Sequence, residues 1–122
     1  MSPRRVGNMD RLEAIVGGLP EAHRVDIEAW GDEPTFRVNG KNFVFCAPDA
    51  TSITVKLPRE EAEAVCATDP ACSPAGYGLG RAGWVSVDLS GSVGAARWDE
   101  IGDWVRTSYT LVAPKRLAKL VE

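Results

Sequence analysis

Asn39-Gly40 stands between two runs rich in β-branched and aromatic residues, Thr35–Val38 and Lys41–Cys46. Both central residues of a type I′ turn need positive φ, and Asn-Gly is the pair that meets this need most readily, so the segment predicts a tight β-hairpin. A two-residue turn also sets the register. Val38 should face Lys41, Arg37 should face Asn42, and Phe36 should face Phe43. Side chains alternate across a strand, which places Phe36, Val38, Phe43 and Phe45 toward a core and Arg37, Asn42 and Val44 on the opposite face. Lys41 falls on the core side at the hairpin tip, where its stem can cover apolar surface while its ammonium reaches water.

The flanking segments extend this pattern. Met9 to Val16 reads as a short helix with Leu12, Ile15 and Val16 on one face, stopped by Gly17-Gly18. From His23 the period becomes two, with Val25, Ile27 and Ala29 inward and Arg24, Asp26, Glu28 and Trp30 outward. Thr51 to Leu57 alternates in the same way, Ile53, Val55 and Leu57 inward and Thr54 and Lys56 outward. Pro58 opens a helix through about Ala67, since proline is tolerated in a first turn. Thr68 to Gly80 reads as irregular, with Pro70, Pro74 and several glycines. Gly83 to Leu89 is a strand with Val85, Val87 and Leu89 on one side and Trp84, Ser86 and Asp88 on the other. Trp98 to Tyr109 follows helical spacing, and Pro114 begins a last helix with Leu117, Leu120 and Val121 as its apolar stripe. The order predicts an α+β fold, a single two-layer domain whose antiparallel sheet is packed on one face by helices. Residues 1–8 are expected to be an unstructured lead-in and 9–122 the domain.

Composition narrows the function classes. At 122 residues, 44% hydrophobic and 25% charged, the chain has the balance of an ordinary globular domain able to bury a core. No apolar run is long enough for a membrane span, and the basic start lacks the apolar stretch of a secretory signal. Cys46, Cys66 and Cys72 contain no Cys-x-x-Cys pair and His23 is the only histidine, which argues against a metal site and for reduced thiols in a cytoplasmic protein. The net charge of −3 lowers the expectation of a dedicated nucleic-acid binder, although an acidic whole can carry a basic patch.

Several segments taken together resemble a known family. They are Gly31-Asp32-Glu33-Pro34-Thr35-Phe36-Arg37-Val38 with Lys41 and Phe43, Val55-Lys56-Leu57-Pro58, the approach from Tyr77 to Trp84, and Ser108-Tyr109 followed by Pro114-Lys115-Arg116-Leu117. In this order and spacing, from about Leu12 to Leu120, they resemble the MmcQ/YjbR family of small proteins. The resemblance implies an α+β architecture akin to secretion chaperones and frataxin. It also implies DNA binding through a double-wing arrangement of hairpins, and no enzymatic activity. Many relatives approach the tryptophan through a His-Met-Asn-Lys-Lys-His-Trp-like stretch. Gly78-Leu79-Gly80-Arg81-Ala82-Gly83-Trp84 lacks both histidines and keeps one basic residue.

Strand parity puts Trp30, Arg37, Lys56 and Trp84 on the face away from the core. Cations interleaved with aromatics suit nucleic acid, because bases stack on indoles while cations follow phosphates. On this reading Arg37, Lys41, Lys56 and Arg81 contact DNA phosphates, and Trp30 or Trp84 stacks. If instead the final helices cover this face, the tryptophans become core and Arg37 and Lys56 pair with Glu28 or Asp88. A third arrangement is a small-molecule pocket between sheet and C-terminal helices, with Trp30, Trp84, Lys56, Ser108 and Tyr109 as candidate ligand-binding residues. Gly76-Tyr77-Gly78-Leu79-Gly80 precedes a strand rather than a helix and lacks the Lys-Ser/Thr ending, so it reads as a connector and not a phosphate loop. His23 and Cys46, the one conceivable Cys–His pair, are expected on opposite faces, His23 toward the core and Cys46 outside. With one histidine and scattered carboxylates no catalytic constellation or cofactor site assembles. The chain is therefore expected to be a non-enzymatic binding protein, for DNA or alternatively a small ligand, as a monomer or weak homodimer.

Overall fold

The computed structural model describes residues 7–28, 33–76, 78–91 and 93–121. Its elements are α1 (Asn8–Gly17), β1 (His23–Ile27), β2 (Glu33–Val38), β3 (Lys41–Cys46), β4 (Ser52–Lys56), α2 (Arg59–Thr68), β5 (Cys72–Pro74), β6 (Trp84–Asp88), α3 (Ala95–Val112) and α4 (Lys115–Ala118). A short 3-10 turn at Leu79–Ala82 precedes β6. The six strands form one antiparallel sheet in the order β1-β2-β3-β4-β6-β5. All four helices contribute to the same side, where α3 lies across β3 and β4 and α2 covers β5 and β6. The expected two-layer α+β domain is thus the observed one.

The hairpin turns at Asn39 (φ 53°) and Gly40 (φ 75°), both in the left-handed region, as Asn-Gly predicts. Val38 faces Lys41 and Arg37 faces Asn42, but the register then shifts, and Phe36 faces Val44 instead of Phe43. This β-bulge turns Phe43 and Val44 to the same side, both fully buried beneath the helices. Phe45 is thereby moved to the helix-free face and Val44 into the core, the reverse of their predicted places.

The bulge has a specific partner. Extending the β3–β4 register of Val44↔Val55 and Phe45↔Thr54 by one step would set Phe43 opposite Lys56. There the Ser108 hydroxyl of α3 donates to the Phe43 carbonyl at 2.6 Å and accepts the Lys56 N–H at 2.9 Å. The next residue, Tyr109, packs edge-on against the Phe43 ring with centroids 5.4 Å apart, and its hydroxyl donates to the Pro20 carbonyl at 2.6 Å. Adjacent residues of one helix therefore fix β3, β4 and the α1–β1 turn.

Other departures have local causes. β1 is an edge strand with inverted parity: Arg24 pairs with Phe36 and Asp26 with Pro34, while Val25 and Ile27 lie half-buried on the helix-free face. At this rim the helix side is wet, and Arg24 bonds Glu13 of α1 at 2.6 Å and Asp26 at 2.8 Å. β5 lies within the stretch expected to be irregular; three residues ending in Pro74 carry no readable alternation. α4 spans only four residues, so Leu117 is buried but Leu120 is 69% exposed and does not join the stripe. Of the expected lead-in, residues 1–6 lie outside the described residues, whereas Asn8 begins α1 and donates its side-chain amide to the carbonyls of Ala50 and Leu89.

Replacing Ser108 with Ala leaves a buried carbonyl and an amide of the neighbouring strand without partners. Ser108→Ala should cost about 2–3 kcal/mol in urea unfolding, with the slope m unchanged. An unaltered midpoint would mean the bulge holds without the hydroxyl.

Candidate functional site

The helix-free face is built by the alternates of the core residues. Across the sheet, register aligns Val25, Thr35, Phe45, Thr54, Ser86 and Ser73 in one row. One step toward the hairpin tip, the same face carries His23 opposite Arg37, Arg37 opposite Asn42, and Lys56 opposite Trp84. Arg37, Asn42, Lys56 and Trp84 are all half-buried, so the helices do not close over them. Phe45 and Trp84 reach across β4 and meet edge to face, centroids 5.2 Å apart. The Thr54 and Ser86 hydroxyls lie 3.3 Å apart.

A groove of about 640 Å³ opens on this face, lined by Phe45, Thr54, Ser86, Ala75, Leu79 and Glu33 among others. Its walls are largely apolar, with two hydroxyls and one carboxylate. Beside it, the Arg37 Nε and the Asn42 Oδ1 are buried without a hydrogen-bond partner among the described residues. Buried polar atoms are paired in the great majority of cases, so two orphans facing one another in the ladder stand out.

The predicted site residues therefore separate. Arg37, Lys56 and Trp84 share the open face, Lys41 is exposed at the hairpin tip, and Arg81 is exposed on the 3-10 turn just before Trp84. All four cations cluster at the hairpin end of the sheet, and none forms an ion pair with a described carboxylate; the predicted pairing of Arg37 or Lys56 with Glu28 or Asp88 does not occur. Ser108 and Tyr109 lie in the core on the other side of the sheet, their hydroxyls held by backbone carbonyls, so the pocket expected beneath the C-terminal helices is not where they sit. Trp30 lies outside the described residues. Sequence parity missed Phe45 because the bulge inverts its face, and it missed Leu79 because the connector showed no period.

Toward the C-terminus, Arg106 pairs with Asp103 one turn away on α3 at 2.7 Å, and Arg116 pairs with the distant Glu21 at 2.9 Å. His23 and Cys46 do lie on opposite faces, but with sides exchanged: His23 is exposed on the helix-free face and Cys46 is buried in the core. Among the described residues no cluster of three or more His, Cys, Asp or Glu could hold a metal, and no helix is long and apolar enough to cross a membrane. Burial pushes the Cys46 thiol up to about 12 and the Cys72 thiol up to about 11. Cys46 also directs its Sγ at the Pro34 carbonyl, 3.6 Å away.

Burial also pushes the Cys66 thiol up, but Cys66 is half-buried where Cys46 and Cys72 are buried. Iodoacetamide near neutral pH should therefore modify folded protein slowly and first at Cys66, and all three cysteines after unfolding. The linked effect has a definite sign. The unfolded chain loses these thiol protons near 9.0 while the fold retains them, so stability is full below that pH and falls as pH climbs toward about 12. Mass spectrometry of the alkylated protein and unfolding curves across alkaline pH check both statements.

Fold and site together define a small helix-backed antiparallel sheet with one open, grooved face. The chain belongs to the YjbR family, whose sequence model matches residues 17–111. It is similar in fold to a Deinococcus radiodurans protein with domain DUF419, at a TM-score of 0.70 and 24% identity, covering 95% of this chain and 88% of that one. A Pseudomonas syringae protein aligns at a TM-score of 0.65 and 20% identity, covering 86% of this chain and 98% of its own. No curated protein of described function matches.

Proposed function

We propose that this chain is a non-enzymatic binding protein that takes a small ligand on the helix-free face of its sheet. The ligand's apolar or aromatic body lies in the groove of Phe45, Leu79, Thr54 and Ser86, and its polar end turns toward Arg37, Asn42 and Lys56. The observation that carries this reading is the groove itself, a largely apolar concavity with the Thr54 and Ser86 hydroxyls on its lining. The Arg37 side chain, half-buried on the same face and in no ion pair with a described carboxylate, offers guanidinium donors to a carboxylate or carboxamide end. Lys56, without an ion pair, adds attraction for an anionic end.

The test is a thermal-shift and amide-shift screen with a panel of aromatic carboxylates and carboxamides. A hit should perturb Phe45, Thr54 and Ser86, and should weaken about tenfold in Arg37→Lys, which keeps the charge but removes Nε–H. Binding that is indifferent to both Arg37→Lys and Lys56→Gln would overturn the placement, as would a panel without hits.

The unpaired cations at the hairpin end favour a second reading, contact with nucleic acid through Arg37, Lys41, Lys56 and Arg81 with stacking on Trp84. Titration of single-stranded and duplex DNA across a salt series decides it, since phosphate contacts make affinity fall steeply as salt rises. Binding that is absent at low salt, or insensitive to salt, removes this reading.

A further inference from the structure

A second groove, of about 380 Å³, lies on the far side of the loop that bounds the first, and Ala75 lines both. Two arginines far apart in sequence, Arg59 at the start of α2 and Arg81 on the 3-10 turn, line it together. Their meeting follows from the backbone. Gly83 sits at φ 96°, and an added Cβ would stand 2.2 Å from the Leu57 carbonyl oxygen. That contact closes with a Leu57 N–H to Gly83 carbonyl bond of 2.9 Å. Arg59 and Arg81 each lie two residues from this bridge, so docking the loop onto the end of β4 draws both to one place. Gly80 sharpens it, since a Cβ there would meet the Pro74 Cβ at 2.8 Å and the Ala75 oxygen at 3.2 Å.

The charge at this groove is not internally cancelled. Among the described residues Glu63 is the one carboxylate on its lining, and it forms no ion pair with either arginine. Glu60 and Glu61 occupy the first turn of α2 but do not line the groove. Two arginines on the lining of one groove can offer forked donors suited to a tetrahedral oxyanion.

We propose that the groove between Arg59 and Arg81 binds the dianionic phosphoryl group of a phosphomonoester. A dianion is favoured over the single charge of a phosphodiester because two arginines line the same groove against one described carboxylate, Glu63. The site does not depend on the ligand assigned to the first groove.

The experiment titrates the full chain with inorganic phosphate at constant ionic strength, followed by amide shifts. Expected are saturable changes at Arg59, Gly78, Gly80 and Arg81, and affinity about tenfold lower in Arg59→Gln and in Arg81→Gln. Arg81→Lys, which keeps the charge and loses the fork, should bind at an intermediate level, and Lys119→Gln, at an exposed lysine of neither site, should bind as the unmodified chain. Both arginines are exposed, so thermal melting should be unchanged. Dimethyl phosphate, the monoanionic diester, separates a phosphomonoester site from one for nucleic-acid backbone and should bind more weakly. Equal binding of the two anions, undiminished binding in the glutamine variants, or unsaturable shifts spread over all surface cations would each overturn the proposal.

Discussion

The hydroxyl of Ser108 sits where the ladder between β3 and β4 would otherwise continue, and both faces of the sheet follow from that. By standing between the Phe43 carbonyl and the Lys56 amide it satisfies two main-chain groups that the bulge separates. With the strands parted there, Phe43 and Val44 can both turn inward, and the Phe43 ring receives the edge of Tyr109. The same shift carries Phe45 outward to meet Trp84. The aromatic wall of the open groove is thus the reverse side of a hydrogen bond in the core. A serine suits this position because one hydroxyl both donates and accepts.

Much of the fold is legible from residue order because its signals are local. Asn39-Gly40 announces the hairpin, the alternation of Ile53 to Leu57 and Val85 to Leu89 assigns inner and outer sides correctly, and Pro58 marks the start of α2. The errors fall where a distant contact overrides the local period. Nothing within Lys41–Cys46 reveals that a hydroxyl on α3, 65 residues away, inserts a bulge at Phe43. β1 misleads for a related reason. Its apolar residues alternate as a core strand's would, yet at a sheet edge the helix side is occupied by the Arg24–Glu13 contact and the apolar side chains turn to the other face. Ser108 and Tyr109, adjacent and polar, resemble a lining pair in sequence. Only the fold shows that each hydroxyl already serves the backbone.

The candidate site was half visible for the same reason. Outward parity finds Arg37, Lys56 and Trp84, since their strands keep register around them. It cannot find Arg59, whose position looks like an ordinary exposed helix start. Nor does it find the role of Gly80 and Gly83, whose lack of a Cβ allows the connector to approach Pro74 and Leu57. A stretch that reads as a flexible spacer is held at close backbone contacts, and the wall between two grooves depends on them.

Antiparallel pairing also explains how an acidic chain concentrates cations. The C-terminal ends of β2 and β4 and the N-terminal ends of β3 and β6 all lie at one end of the sheet, which gathers Arg37, Lys41, Lys56, Arg59 and Arg81 there. Elsewhere four of the five described arginines form ion pairs, Arg24 with Glu13, Arg97 with Asp69, Arg106 with Asp103 and Arg116 with Glu21, and the fifth, Arg11, lies over the Trp98 ring. The net charge of −3 therefore describes the sum and not the field at this end. Within that end the connector divides two environments, hydroxyls and aromatic carbon on one side and Arg59, Arg81 and Glu63 on the other. The two grooves thus differ in chemistry although a single loop separates them, and that difference follows from where the loop's backbone is held.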